Sequence, residues 1–245
     1  MKRKFKKKNF WISLLLLLIL LALVYFFYFS GFFAIEKISL SKNALSEYYS
    51  EIIKKELDNY LGYNLLFLNA GKIEKMILNE YIFLKEANIK RKLPDEFILQ
   101  ISERKPLIVF CSHEECFFLD KEGIAFKKND LEEKKDKITT VFLTEAEGFG
   151  SKKEGDIFLE KDKLDKIVFL KERLENDLRL TKIILTGDNR LNIKVERDWE
   201  IYFDLLSDIE LALTKLKLLL EKEIPPSKRG DLQYIDLRFS KVYYK

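Results

Sequence analysis

The chain has 245 residues, with 44 Lys and Arg against 40 Asp and Glu. Six of the bases precede the first acid, Glu36, so the other 38 face 40 acids; the basic balance belongs to a short tail and gives no support to a nucleic-acid-binding stripe. About 210 residues follow the first apolar segment, enough for one large or two small domains.

Residues 1–9 form that tail, with Lys2, Arg3, Lys4, Lys6, Lys7 and Lys8 and no acid. From Phe10 to Phe29 no residue is charged. Twenty residues at a helical rise of about 1.5 Å cover roughly 30 Å, the hydrocarbon thickness of a bilayer, so residues 10–32 are predicted to contain a single transmembrane helix. Trp11 near its start and Tyr25 and Tyr28 near its end suit the two water interfaces. The basic tail places the N-terminus in the cytoplasm and everything after Gly31 outside. A cleaved signal peptide has the same charge order, but its apolar core is shorter and ends in small residues, whereas this one ends in Tyr25–Phe29 and Phe32-Phe33, which predicts a retained anchor.

Residues 33–105 read as strand, helix, helix, strand, strand. Ala34, Glu36, Ile38 and Leu40 alternate with Ile35 and Lys37 in a first strand. A helix from about Ser46 carries Tyr49, Ile53 and Leu57 at spacings of four, widened by Ile52 and Leu61, and Gly62 is placed to end it. After an extended stretch, Asn64 to Leu68, Asn69 is positioned to cap a second helix presenting Ile73, Met76 and Ile77. Phe83, Ala87 and Ile89 alternate with Leu84, Glu86 and Asn88 in one strand, and Phe97, Leu99 and Ile101 mark the next; the turn falls at Pro94, which cannot donate to a ladder.

Residues 106–245 read as a strand-rich domain with two helices. Leu107 to Cys111 and Cys116 to Asp120 predict a hairpin, Lys121 to Gly123 a turn, and Ile124 to Phe126 a short strand. Further strands are predicted at Ile138 to Leu143, Thr181 to Thr186, Leu191 to Glu196 and Trp199 to Leu205. One helix is expected over Glu160 to Asn176; the other opens at Ser207, with Glu210 three residues on as a capping box, and stops at Pro225-Pro226. Its Leu-rich stripe is under three heptads long and reads as core. Leu232 to Phe239 and Lys241 to Tyr244 predict two closing strands, while the Lys- and Glu-rich stretches within Lys127 to Lys163 read as flexible loops.

Chemistry-bearing patterns are sparse. No Gly-rich phosphate loop occurs, acid pairs such as Glu114-Glu115 sit in loops, and the one histidine, His113, has no nucleophile motif near it. Cys111, His113 and Cys116 supply three metal ligands where structural zinc usually takes four, so no metal and no cofactor are expected. The two cysteines flank a predicted hairpin loop at cross-strand distance, which leaves a disulfide and two free thiols both open.

Several stretches resemble the FtsQ/DivIB family of bacterial cell-division proteins. Gly62-Tyr63-Asn64-Leu65-Leu66-Phe67, Ala87 to Pro94 and Ile101 to Pro106, with Asn43, Ser50 to Ile53 and Ile73, are similar to its POTRA domain. Asp120-Lys121-Glu122-Gly123-Ile124-Ala125-Phe126 and the closing Asp236-Leu237-Arg238-Phe239 are similar to features of its second domain. The resemblance implies an α+β chain with a POTRA-type βααββ domain and a C-terminal β domain. It further implies a non-catalytic scaffold at the division septum that binds FtsB/FtsL-type single-pass proteins and helps regulate septal peptidoglycan synthesis. The family's partner surface carries over to Arg238, Phe239, Ser240 and Val242, with Tyr243 and Tyr244 nearby. Two other classes, a membrane-anchored extracytoplasmic enzyme and a sensor or transport-linked adaptor, have no sequence feature of their own.

Overall fold

A computed structural model describes residues 2–41, 47–112, 115–127, 140–143, 152–187 and 189–245, in two compact units, 1–103 and 104–245. The first unit begins with α1, Lys2–Phe29. Within it Phe10–Phe29 is the one helix among the described residues that is long and apolar enough to cross a membrane, and none of that stretch is buried by protein. A helix leaves its last four carbonyls without helical partners. Here Ser30 Oγ donates to Phe26 O, Ser30 N donates to Tyr25 O at 3.2 Å, and Asn64 Nδ2 reaches from the following domain to Phe27 O at 2.8 Å.

β1 (Lys37–Leu40), α2 (Glu47–Leu57), α3 (Ala70–Glu80), β2 (Leu84–Lys92) and β3 (Glu96–Glu103) follow in the predicted order. β3 is the central strand, parallel to β1 and antiparallel to β2. The two helices supply Ile53, Leu57, Ile73 and Ile77 to a core with Ile38, Leu84, Ala87, Phe97 and Leu99 from the strands. Each of the Ile, Leu and Phe side chains contributes roughly 1.5–3 kcal/mol on leaving water. Asn69 caps α3 as expected, its side chain accepting from Lys72 N at 3.1 Å. Asn43 and Ser46 lie outside the described residues.

Four local expectations are corrected. Strand β1 starts only at Lys37, because Ile35 is held by Tyr63 and Gly62, through Ile35 N to Tyr63 O and Gly62 N to Ile35 O, so Ile35 and Ile38 are buried in place of a strict alternation. Leu65 to Phe67 form turns, and of the stretch expected to be extended, Asn64 to Leu68, Asn64 makes a single antiparallel bridge to Ala34. Ile52 and Leu61 are exposed, so the buried stripe of α2 is the narrower Ile53–Leu57 line. A β-bulge between Leu84 and Glu86 inserts one residue, which turns Leu84 to the core face together with Ala87.

The second unit is built on one nine-stranded sheet. Its strands are β4 (Ile108–Ser112), β5 (Glu115–Leu119), β6 (Ala125–Phe126), β7 (Thr140–Leu143), β8 (Leu180–Thr186), β9 (Arg190–Val195), β10 (Glu200–Asp204), β11 (Tyr234–Asp236) and β12 (Tyr243–Tyr244). They run in the order β12-β11-β10-β9-β8-β7-β4-β5-β6. Parallel neighbours need a crossover. α4 (Lys161–Leu174) connects β7 to its parallel partner β8, and α5 (Ile209–Lys222) connects β10 to β11. Leu164, Ile167, Leu170 and Leu174 of α4 and Ile209, Ala212, Leu216, Leu219 and Leu220 of α5 join the strands in one buried cluster. The cap of α5 is Asp208, whose carboxylate accepts from Leu211 N at 3.0 Å; Ser207, the expected cap, instead donates to Asp204 O.

Gly123 shows how the sequence closes the β6 edge. Asp120, buried, accepts from Glu122 N and Ile124 N through Oδ1 and pairs with Arg104 through Oδ2 at 2.5 Å, which folds the chain into a tight turn. At its tip Gly123 has φ +76°, and an added Cβ would lie 1.8 Å from Leu159 O. The close approach lets Phe158 N donate to Gly123 O, while Ala125 N donates to Asp156 O and Gly155 N to Ala125 O. Gly155, at the end of the Gly148 to Gly155 stretch read as loop, therefore pairs along β6 together with the residues after it, and Phe158 and Leu159 are buried; residues 128–139 and 144–151 lie outside the described residues. Gly123→Ala is expected to destabilise the chain by more than about 1 kcal/mol, read as a lower urea midpoint, because a side chain at that φ is strained and the carbonyl blocks it.

Candidate partner-binding edge

The predicted partner residues lie together at the β12 end of the sheet. The expected closing strands are shorter than predicted: β11 stops at Asp236 and β12 holds two residues. Leu237 N still donates to Tyr202 O at 3.0 Å, but Arg238 N turns to Asp236 Oδ1 at 3.1 Å, and that side-chain acceptor diverts the chain from the ladder. Arg238, Phe239 and Ser240 thus form a bend between the strands, with Val242 packed partly into the core.

Asp236 is buried, and Arg238 answers it with two parallel bonds, Nε to Oδ1 at 2.9 Å and Nη2 to Oδ2 at 2.7 Å. Burial pushes the Asp236 carboxyl up, but the side-chain and backbone hydrogen bonds of Arg238 and the charges of Arg238 and Arg190 outweigh it and hold the group below its ordinary value. The Arg238 guanidinium is raised, first by its hydrogen bond to Asp236. It also lies 5.7 Å from the Tyr202 ring and 5.3 Å from that of Phe239. Arg238 is therefore a brace for the bend as much as a surface cation.

Around this brace the aromatic side chains stay open. Phe239, Tyr243 and Tyr244 are each about half exposed, and the Phe239 and Tyr243 rings meet edge to face at 6.0 Å. α5 supports the bend from beside it: Lys215 Nζ donates to Ser240 O at 3.0 Å, and the Tyr244 hydroxyl donates to Glu223 Oε2 at 3.2 Å. On β9 to β11, Arg190 lies over Tyr202 at 4.5 Å and Tyr202 stacks on Tyr234 at 5.5 Å. Sequence reasoning missed Arg190, Tyr202, Tyr234, Lys215 and Glu223. The signal present for Tyr202 was its position between the buried Ile201 and Phe203, and Arg190 and Tyr234 each open a strand just before a buried residue, Leu191 and Ile235; nothing local marked the last two.

The backbone at this edge has a defined free side. Lys245 N donates to Tyr234 O, and Lys245 O accepts from Gln233 N and Tyr234 N, so residue 245 faces β11. With Ile235 opposite Tyr244, antiparallel alternation points the N–H and C=O of Tyr244 away from β11. Among the described residues β11 is the one strand that pairs with β12. The opposite end of the sheet is closed by the segment on β6.

The cysteines stand far from this edge in strand order. Cys111 and Cys116 oppose each other across β4 and β5, with Cα atoms 4.1 Å apart, and are joined in a disulfide. His113 lies outside the described residues. Among the described residues no three His, Cys, Asp or Glu side chains group as metal ligands.

A POTRA domain model, FtsQ-type, matches residues 33–104, and the model described as cell division protein FtsQ/DivIB, C-terminal, matches residues 112–238. The chain is similar to the cell division protein DivIB of Clostridium tetani (strain Massachusetts / E88), 27% identical over 220 residues, covering 85% of this chain and 77% of that protein. It is also similar to cell division protein DivIB of Clostridium botulinum (strain Loch Maree / Type A3), 28% identical over 225 residues, covering 87% and 82%.

The Asp236–Arg238 pair has a pH signature. Because the folded carboxyl titrates below its unfolded value of about 3.9, its stabilisation is complete above that pH and is lost as pH falls through the folded value. Asp236→Asn is expected to lower stability by about 1–3 kcal/mol at neutral pH. In urea unfolding curves taken from pH 6 downward, the gap between wild type and variant should narrow below about pH 4.

Proposed function

The chain belongs to the FtsQ/DivIB family of cell-division proteins, and we propose that it acts as a non-catalytic, membrane-anchored scaffold of the division machinery, binding FtsB/FtsL-type single-pass proteins outside the membrane. In this reading residues 1–9 are a cytoplasmic tail, 10–32 an anchor in the cell membrane, 33–105 the POTRA domain and 106–245 the C-terminal β domain. The six bases of the tail support a cytoplasmic N-terminus and an extracytoplasmic bulk. Work at the septum, and a part in regulating peptidoglycan synthesis there, follow from partner capture and not from a reaction on this chain.

The observation that carries the proposal is the open side of β12. A sheet edge with free N–H and C=O groups accepts an added strand, and main-chain hydrogen bonds then supply affinity while side chains select the partner. Tyr244 offers the outward backbone pair. Phe239, Tyr243 and Tyr244 offer exposed rings beside it, and Arg238, Ser240 and Val242 set the bend that presents them. Aromatic side chains and Arg are the residue types that most often dominate such interfaces.

Two substitutions test this edge. Tyr244→Pro removes the outward backbone donor together with the Tyr244 ring and leaves the inward donors in place, and Phe239→Glu puts a charge on an exposed apolar anchor. Both variants are expected to fold and to bind purified FtsB/FtsL-type partners at least about tenfold more weakly than the wild-type chain, a loss of about 1.4 kcal/mol or more, in pull-down and titration. Unchanged capture by both folded variants would remove the β12 edge from the interface.

A further inference from the structure

The segment between α2 and α3 turns apolar rings outward. Tyr63 is 59% and Phe67 50% exposed, and Phe32, in the turn after α1, is 55% exposed. What covers them follows from what the same segment touches. Asn64 Nδ2 donates to Phe27 O at 2.8 Å, and the Phe67 ring stacks on Tyr28 at 4.0 Å. Leu65 N donates to Phe33 O at 2.8 Å, and the Phe33 ring stacks on Phe27 at 5.6 Å. Phe27 and Tyr28 belong to the apolar span Phe10–Phe29 and, at about 1.5 Å per residue, lie within about 3 Å of its end. A segment bonded to them stands at the level where hydrocarbon gives way to headgroups.

We propose that Phe32, Tyr63 and Phe67 form an aromatic collar that docks the first domain onto the surface of the bilayer that α1 spans. Rings favour that depth because one side meets acyl chain and the other meets headgroup and water, and a phenol such as Tyr63 adds a polar tip. Charge does not drive the docking. Lys37 and Arg91 lie at this end of the domain, but so do Glu36 and Asp95, with Glu36 N and Lys37 N both donating to Asp95 O. The consequence is orientation. β1 and β3 both begin at the collar end and run away from it, so a docked collar holds the three-stranded sheet upright on the membrane.

The opposite end of the same domain supplies the control. Tyr48, at the start of α2, is 66% exposed, and its neighbour Tyr49 packs against Phe83 where β2 begins, at the far ends of the strands from the collar. Both native cysteines are in the disulfide, so a single introduced cysteine is the one free thiol. The full chain is placed in phosphatidylcholine nanodiscs with a nitroxide at Tyr63→Cys, Phe67→Cys, Tyr48→Cys or Leu17→Cys, and collision with oxygen is compared with collision with a water-soluble nickel chelate. Labels at 63 and 67 are expected to favour oxygen over the chelate several-fold relative to the label at 48, with 17 favouring it most. Chelate access at 63 and 67 equal to that at 48, with 17 protected, would overturn the collar; chelate access at 17 would overturn the span and the collar together.

Discussion

A helix that ends at the edge of a bilayer must find partners for its last carbonyls, and that requirement organises the first half of the chain. Helical residues inside hydrocarbon satisfy one another, but the final turn cannot, and an unpaired carbonyl there costs several kcal/mol. In this chain the acceptors at Phe26 and Phe27 are met by Ser30 and by Asn64. The second of these comes from beyond α2, so satisfying the anchor also places the segment that bears Tyr63 and Phe67. Ile35 is held by the same segment, which delays β1 until Lys37. One local demand thus sets where the domain starts and which rings stand at the membrane surface.

The second unit meets a different demand, the two open sides of a sheet. A row of unpaired N–H and C=O groups invites association, and proteins normally cover it. At β6 the chain covers it with its own backbone from Gly155 to Phe158, and Gly123 supplies the space for that approach. At β12 no such cover exists among the described residues. Instead the buried Asp236 fixes Arg238, α5 reaches the carbonyl of Ser240 through Lys215, and the rings of Phe239 and Tyr243 stay in solvent. A braced edge with exposed rings costs solubility unless a partner is its usual companion. That contrast between the two ends gives the family resemblance a physical reading.

Membership in the FtsQ/DivIB family and the local geometry bear on different parts of the function. The family models cover the POTRA domain and most of the β domain, which accounts for the α+β layout and its order of elements. They do not explain why Arg238 is there. The geometry does: a buried carboxylate two residues before a bend needs a bidentate partner, and Arg has the planar fork to supply one.

The apolar N-terminal helix, the βααββ order, the cap of α3, the Ile53 and Leu57 line of α2 and most strands were legible in the sequence because each rests on a spacing of a few residues: the uncharged run of Phe10–Phe29, Asn69 before α3, positions four apart on α2, alternation through β9 and β10. The neighbourhood of Arg238 and Phe239 was legible through a motif, though not as the bend it forms. Long-range contacts decided the remainder. Periodicity cannot reveal that a bulge turns Leu84 inward, that Asp208 and not Ser207 caps α5, or that Asp236 ends its strand by capturing the N–H of Arg238. Nor can it show which sheet edge the chain closes upon itself. Those outcomes depend on which donor reaches which acceptor once distant segments are packed, and a sequence read a few residues at a time does not contain that distance.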